Sequence, residues 1–145
     1  MNPENLAVVA GPRKSGSVPT AKAKNLHLSF EAHQYTGAVV LHCQGRLIFR
    51  NEAHALSETV NEILPTVRRM VIDLAGVGSV DSAGLGELVM LHMWAEAAGY
   101  TLKFASPNRS VRHLLELTNL ISVFDLYPSV PEAMAAMHYE EVRSA

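Results

Sequence analysis

The sequence predicts a single α/β domain whose central sheet is mostly parallel. Segments with the period of a strand alternate with segments with the period of a helix, in the order β-β-α-β-α-β-α-β-α. This alternation favours parallel strands joined by helical crossovers, and the opening pair of strands forms a hairpin that adds one antiparallel strand. The length of 145 residues suits one domain with one sizeable core.

The beginning of the chain is predicted to be a flexible basic tail. Residues 1–24 contain three prolines and two glycines among small and basic residues, and they show no periodic pattern. Four lysines and arginines against one glutamate give this segment a net charge of +3. The composition is typical of a solvated extension, and we expect the folded domain to span residues 25–140.

The first half of the domain is predicted to contain a hairpin, a helix and a short strand. Apolar and polar residues alternate from Leu26 to Glu31, which is the pattern of a half-buried strand, and a more apolar strand runs from Ala38 toward Leu47. A helix with one apolar face follows from Asn51, and Pro65 is expected to end it. Residues 70–74 are predicted to form a short buried strand.

The second half is predicted to alternate helix and strand. Gly99 ends a long apolar helix, because glycine adopts the left-handed conformation that often follows a helix. Ser129 and Glu132 form a capping-box signature at the start of the last helix. The elements predicted here are a helix from 82, a strand at 101–104, a helix from about 110, a strand at 124–127 and the terminal helix.

A seven-residue motif, Val-Asp-Ser-Ala-Gly-Leu-Gly at residues 80–86, is the most informative part of the chain. It follows a strand and opens an apolar helix, so Ser82 places a small hydroxyl where the strand passes into the helix. The first N–H groups of a helix lack intrahelical partners and carry the positive end of its dipole. An oxygen, and above all a phosphate, is stabilised there. Ser82 is therefore the predicted phosphorylation site.

Helix capping by Asp81 or Ser82 is the simpler interpretation of the motif, but two features favour a binding surface. Gly84 and Gly86 fall in the first helical turn, where each glycine costs about 1 kcal/mol relative to alanine, which suggests close approach to the backbone. The helix is also apolar on nearly all sides, more than one contact with a sheet would bury. The predicted partner-binding residues are Asp81, Ser82, Ala83, Gly84, Leu85 and Gly86.

Enzymatic and nucleotide-binding interpretations fit the motif poorly. A hydrolase nucleophile elbow needs a glycine two residues before the serine, where this chain has Val80, and no histidine is clearly placed as a base. Gly76 and Gly78 begin a dinucleotide-binding pattern, but Asp81 replaces its third glycine and would bring a carboxylate close to a pyrophosphate. We therefore expect no catalytic residues and no cofactor.

Composition and charge argue against several other classes. The seven histidines include no pair three or four residues apart on a predicted helix, so no metal site is expected. Cys43 is the only cysteine, which excludes an intrachain disulfide. A net charge of −2 argues against direct nucleic-acid binding. The sequence has neither a signal peptide nor an apolar run long enough to span a membrane, so the predicted location is the cytoplasm.

The motif and its surroundings resemble the STAS domain, and within it the bacterial anti-sigma-factor antagonists. The resemblance is carried by Val-Ile-Asp-Leu at 71–74, a glycine-containing loop, the motif at 80–86 and the apolar helix after it, and it extends over about residues 25–138. It implies a non-enzymatic protein that, when unphosphorylated, binds an anti-sigma factor with serine-kinase activity and so releases a sigma factor.

The same resemblance implies how the interaction is regulated. Phosphorylation of the serine after the aspartate, here Ser82, ends binding, and a serine phosphatase restores it. The phosphate adds about −1.5 to −2 charges beside Asp81, which would repel a partner without unfolding the helix. Many members have a second hydroxyl directly after this serine, whereas this chain has Ala83.

Two other functions remain open at the level of sequence. The chain could be a STAS subunit of a larger stress-sensing or transport-associated assembly, with Ser82 never modified. It could also be a sensor that binds a nucleotide or another small anion at the helix N-terminus. A monomer or weak dimer is the expected oligomeric state.

Overall fold

The computed structural model describes residues 26–144, and the predicted tail at 1–24 lies outside this range. Within it, strands and helices follow one another in the predicted order, so the expected α/β architecture is confirmed. The strands are β1 (Leu28–Tyr35), β2 (Ala38–Leu47), β3 (Arg69–Val80), β4 (Thr101–Ala105) and β5 (Leu126–Tyr127). The helices are α1 (Phe49–Val67), α2 (Ser82–Ala98), α3 (Arg109–Leu117) and α4 (Val130–Ser144).

The five strands form one sheet in the order β1-β2-β3-β4-β5. The hairpin strands β1 and β2 pair antiparallel, and every later pair is parallel. This is the mostly parallel sheet with one antiparallel strand that the alternating pattern predicts. Within residues 26–144, no helix combines the length and the apolar character needed to cross a bilayer.

Helices cover both faces of the sheet, and apolar residues that alternate along the strands point toward them. On one face, residues such as Leu41 and Ile72 pack with α1, α2 and α3 in a large cluster, here called the main core. On the other face, Val40 and Val71 pack against Met137 of α4 in a smaller cluster. The three helices that follow β2, β3 and β4 thus lie in one layer, and α4 forms the opposite layer.

The prediction that Pro65 ends the first helix was wrong. Pro65 lies inside α1, which continues to Val67 and ends at Arg68, a residue with a left-handed φ of 72°. The apolar residues Leu64 and Val67 on either side of the proline pack against the main core. The missing N–H of Pro65 leaves the carbonyl of Asn61 without its helical donor, and because both residues are exposed this carbonyl can bond to water, while packing holds the last turn in place.

Strand β3 is longer than the predicted strand at 70–74 and continues to Val80. Gly76, expected in a loop, therefore lies within the strand, where it pairs with β2. A Cβ at Gly76 would stand 2.7 Å from the carbonyl oxygen of Cys43, so the glycine permits close approach of the two strands. The extension brings β2 and β3 to an end side by side, with Leu47 paired to Val80.

A buried lysine connects α4 to the sheet. Lys103 is fully buried, and its Nζ donates hydrogen bonds to Asp125 Oδ2 at 2.6 Å, Glu140 Oε2 at 3.0 Å and the Tyr127 hydroxyl at 3.3 Å. Burial alone would lower the pKa of Lys103, but the hydrogen bonds to these three groups outweigh it and raise the pKa above its usual value. The ammonium group therefore stays charged and joins three elements of the fold.

Replacing Lys103 with alanine should lower the free energy of unfolding by about 2–4 kcal/mol, because it leaves a cavity and removes the cation that two carboxylates share. Urea denaturation measures the change. The control is Arg112→Ala, which breaks an exposed i,i+4 pair with Glu116 and should cost less than about 0.5 kcal/mol. Equal losses in the two variants would contradict a structural role for the buried lysine.

Candidate partner-binding site

Ser82 is the first residue of α2, and it is exposed at the carboxyl-terminal end of the central strand β3. The next residue, Ala83, is exposed as well. The strand-to-helix junction that the motif predicts is therefore present, with the serine on the outside. Its hydroxyl stands in the first helical turn, where the positive end of the helix dipole lies.

The N-terminal cap of α2 is Asp81 rather than Ser82. Asp81 Oδ1 accepts a hydrogen bond from the backbone N–H of Gly84 at 3.0 Å, and Oδ2 accepts one from the backbone N–H of Phe49 at 2.9 Å. These two donors, Phe49 foremost, hold the pKa of Asp81 below its usual value. A carboxylate that remains negative thus lies directly beside Ser82, and the helix start does not need the serine hydroxyl as a cap.

Contacts between the ends of β2 and β3 join the starts of α1 and α2. The backbone N–H of Asp81 donates to the carbonyl oxygen of Leu47 at 3.3 Å, and the Asp81 carboxylate reaches Phe49 two residues further on. We call residues 47–50 and 80–84 the paired corners, because each is the corner at which a strand turns into a helix. The Asp81 side chain bridges the two corners and fixes their relative position.

The two glycines of the motif have different surroundings. Gly84 is buried, and a Cβ there would overlap the carbonyl oxygen of Leu47, so this glycine is required by packing between the paired corners. Gly86 is exposed, and a Cβ there would meet no atom within 4 Å. The sequence predicts that both glycines allow close approach by a partner, whereas in the structure Gly84 has an internal cause and Gly86 has none.

The outer face of α2 carries an apolar stripe. Residues three or four positions apart share one face of a helix, and on α2 such a series points outward. Met90 and Met93 are 60% and 58% exposed. Leu88 and Leu91, on the opposite side of the helix, are buried. The exposed series, here called the α2 stripe, consists of Ala83, Gly86, Met90, Met93 and Ala97.

The six predicted binding residues are not equally accessible. Ser82, Ala83 and Gly86 are exposed, and Asp81 is partly buried by the contacts of its carboxylate. Leu85 is partly buried and packs against the main core. The accessible part of the motif is therefore the beginning of the α2 stripe together with the serine.

Phe49 lies beside the motif in space, although the sequence pattern does not predict it as part of the site. The residue is 59% exposed, and its φ of 68° is in the left-handed region. The expected helix began at Asn51, so Phe49 was assigned to neither an element nor a site. The available signal was a large apolar residue that lies outside both the strand pattern and the helix pattern.

The described region shows no group of three or more His, Cys, Asp or Glu that could hold a metal ion. His42 Nδ1 lies 2.6 Å from Asp73 Oδ2 across the paired strands β2 and β3. Cys43 is buried, and burial, with the nearby Asp73 carboxylate, raises the pKa of its thiol.

Substituting alanine for each motif glycine should have opposite effects on stability. Gly84→Ala should lower the free energy of unfolding by about 1–3 kcal/mol, because the new Cβ overlaps the backbone at Leu47. Gly86→Ala should raise it by about 0.5–1 kcal/mol, because alanine favours the helix and the site is open. Urea denaturation of both variants, each the control for the other, measures the difference, and a loss of stability in Gly86→Ala would contradict this geometry.

The chain is similar to known proteins in both sequence and fold. A family model of the STAS domain matches residues 29–133, more than half of the chain. A Thermotoga maritima protein named as a candidate anti-sigma factor antagonist is 35% identical over 75 residues, which are 52% of this chain and 62% of that relative. The chain thus matches less than two thirds of the length of this relative.

Solved structures share the fold. The crystal structure of a candidate anti-sigma factor antagonist from Thermotoga maritima superposes with a TM-score of 0.65 at 29% identity, covering 79% of this chain and 94% of that one. The phosphorylated form of the Bacillus cell fate determinant SpoIIAA superposes with a TM-score of 0.58 at 15% identity, covering 75% and 99%. On the family match, its extent and the shared fold, the chain belongs to the STAS domain family.

Proposed function

We propose that this protein is an anti-sigma factor antagonist whose binding is switched by phosphorylation of Ser82. The observation that carries the proposal is an exposed serine at the N-terminus of α2, where a neighbouring residue, Asp81, already supplies the cap. The hydroxyl can therefore be modified without removing the contact that starts the helix. The name of the Thermotoga maritima relative supports an anti-sigma factor as the partner, and the phosphorylated Bacillus protein provides a precedent for the modification on this fold.

The partner is an anti-sigma factor that is also an ATP-dependent serine kinase, and the protein itself is its substrate rather than an enzyme. In the modification step Ser82 Oγ attacks the γ-phosphorus of ATP, the bond to the bridging oxygen breaks and ADP leaves. The hydroxyl proton passes to a base of the kinase. A serine phosphatase reverses the modification by hydrolysis, which an exposed phosphoserine allows, and we place both reactions in the cytoplasm.

Electrostatics explains why the phosphate would end binding. The motif already presents the Asp81 carboxylate, which its two N–H donors keep ionised. A phosphate adds about −1.5 to −2 charges next to it, so the local charge more than doubles. A partner fitted to the unmodified surface would have to bury that charge unpaired, whereas in the free protein water and the helix dipole stabilise it.

The α2 stripe gives the partner an apolar surface that continues from the serine. Methionine side chains adapt to the shape of a partner, and Met90 and Met93 expose theirs on this face. Gly86 leaves the helix backbone uncovered between Ser82 and Met90, where no internal packing requires a glycine. Close approach of the partner at this point is the function that we assign to Gly86.

Co-expression with a serine-kinase anti-sigma factor of the same organism should yield protein that carries one phosphate, as measured by intact mass. The phosphate should disappear in Ser82→Ala. The matched control is Ser110→Ala, which removes another exposed serine from the first turn of the neighbouring helix α3 and should leave the phosphate in place. Phosphate that persists in Ser82→Ala would place the modification at another residue and contradict the switch at Ser82. A stable complex in which no phosphate forms would also contradict the switch, and it would favour an unmodified subunit of a larger assembly.

The phosphomimetic variant Ser82→Asp should bind the anti-sigma factor at least about 10-fold more weakly, because the partner must desolvate the added charge. Its melting temperature should stay close to that of the unmodified protein, since the cap on Asp81 is intact. Calorimetric titration and thermal unfolding provide the two values. Unfolding of Ser82→Asp would instead assign a structural role to the serine.

Placing a charge in the α2 stripe should weaken binding without phosphorylation. Met90→Glu should raise the Kd of the complex by about 10-fold or more, because the carboxylate would be buried against an apolar surface. Leu117→Glu is the control, since it puts the same charge at an exposed apolar position on α3. Equal Kd values for Met90→Glu and the unmodified protein would show that the partner does not contact the stripe.

A further inference from the structure

Phe49 combines two unfavourable features in one residue. The residue is 59% exposed, so it gains little from burial in the fold. Its backbone has a φ of 68°, a conformation that is an outlier for a bulky side chain and costs about 1–2 kcal/mol in an L-residue. Such an outlier persists only where the surroundings hold it, and it points to a functional use.

Other left-handed residues in the described region have ordinary structural causes. Arg68 directly follows the end of α1, and Asn119 follows the last turn of α3, both places where helices commonly end in this conformation. Ser106 is a small polar residue in the loop after β4. Phe49, in contrast, is apolar and stands at the start of a helix, where the left-handed conformation serves no cap.

The Asp81 carboxylate holds Phe49 in place. The N–H of Phe49 donates to Asp81 Oδ2 at 2.9 Å, while Oδ1 of the same carboxylate accepts the N–H of Gly84. Phe49 and Ser82 therefore flank one carboxylate, the first through a hydrogen bond and the second through the peptide chain. The exposed ring stands in a position set by the residue that precedes the serine.

We propose that Phe49 is the aromatic anchor of the partner interface and that Asp81 couples this anchor to the state of Ser82. The inference rests on the proposed function. The ring occupies an apolar pocket on the anti-sigma factor, next to the surface that contacts Ser82. Exposed aromatic side chains that fill a partner's pocket contribute a large share of interface energy, and a backbone held in advance lowers the entropy lost on binding.

Coupling follows from the shared carboxylate. A phosphate on Ser82 repels the neighbouring Asp81 carboxylate, because both groups are negatively charged. The bond from Gly84 lies within the first turn of α2 and moves with the carboxylate, whereas the bond from Phe49 comes from a separate helix and lengthens when the carboxylate shifts away from the phosphate. Phosphorylation thus releases the anchor in addition to adding charge, and the two effects act on the same partner.

The anchor is tested by calorimetric titration of the unphosphorylated full-length protein with the serine-kinase anti-sigma factor. Phe49→Ala should raise the Kd at least about 10-fold, and Leu117→Ala, which removes an exposed apolar side chain from α3, should leave it unchanged. Phe49→Gly should weaken binding equally and raise the melting temperature, because glycine adopts a positive φ without strain. This second variant separates loss of the ring from loss of the fold.

The outcomes distinguish this inference from the function on which it rests. If Phe49→Ala binds like the unmodified protein while Ser82→Asp still fails to bind, the anchor is overturned and the phosphorylation switch stands. If the unmodified protein binds no serine-kinase anti-sigma factor, the proposed function fails and the anchor fails with it. A Phe49→Gly variant that binds normally would likewise overturn the anchor.

Amide hydrogen exchange tests the coupling separately. Phosphorylation of Ser82 should speed exchange at the Phe49 amide, whose proton is bonded to Asp81. The matched control is the Val111 amide, which donates to Asn108 Oδ1 at 2.7 Å in the equivalent cap of α3 and should keep its exchange rate. Unchanged exchange at Phe49 in the phosphorylated protein would overturn the coupling by Asp81.

Discussion

One carboxylate, that of Asp81, organises the surface on which the proposed function depends. It accepts two backbone N–H groups from different helices, and so it begins α2 and fixes the start of α1 at the same time. A neutral side chain could cap one helix, but the ionised group binds both donors strongly, because hydrogen bonds to a charged acceptor are stronger than those between neutral groups. The serine next to it consequently lies where the two helices are joined, so under the proposed function a phosphate at Ser82 would act on both.

The sheet brings this carboxylate to the correct place. Gly76 lets β3 run close beside β2 until both strands end at the same level, with Leu47 opposite Val80. Each strand then turns into its helix within two residues, which places the paired corners in contact. Packing of Gly84 against Leu47 closes the remaining gap between the corners. The position of the site is therefore a result of strand length and register, to which residues far apart in the chain contribute.

Local signals predict much of this arrangement. The order of elements follows from hydrophobic period, and the junction at Ser82 follows from an aspartate and a serine placed between a strand pattern and a helix pattern. The features that the sequence does not predict depend on contacts between residues far apart in the chain. Packing on both sides keeps Pro65 inside a helix, and the different surroundings of Gly84 and Gly86 arise from a strand about forty residues earlier in the chain. Phe49 was missed for the same reason, since its bond to Asp81 spans 32 positions.

The open space around Gly86 has a consequence for engineering and for selection. Stability and recognition make opposite demands on a helix position that is exposed, free of internal contacts and yet occupied by glycine. A search for heat-resistant variants would enrich substitutions at such a position early, since nothing inside the protein resists them. Under the proposed function, the variants recovered would be well folded and resistant to heat, but they would bind the partner poorly.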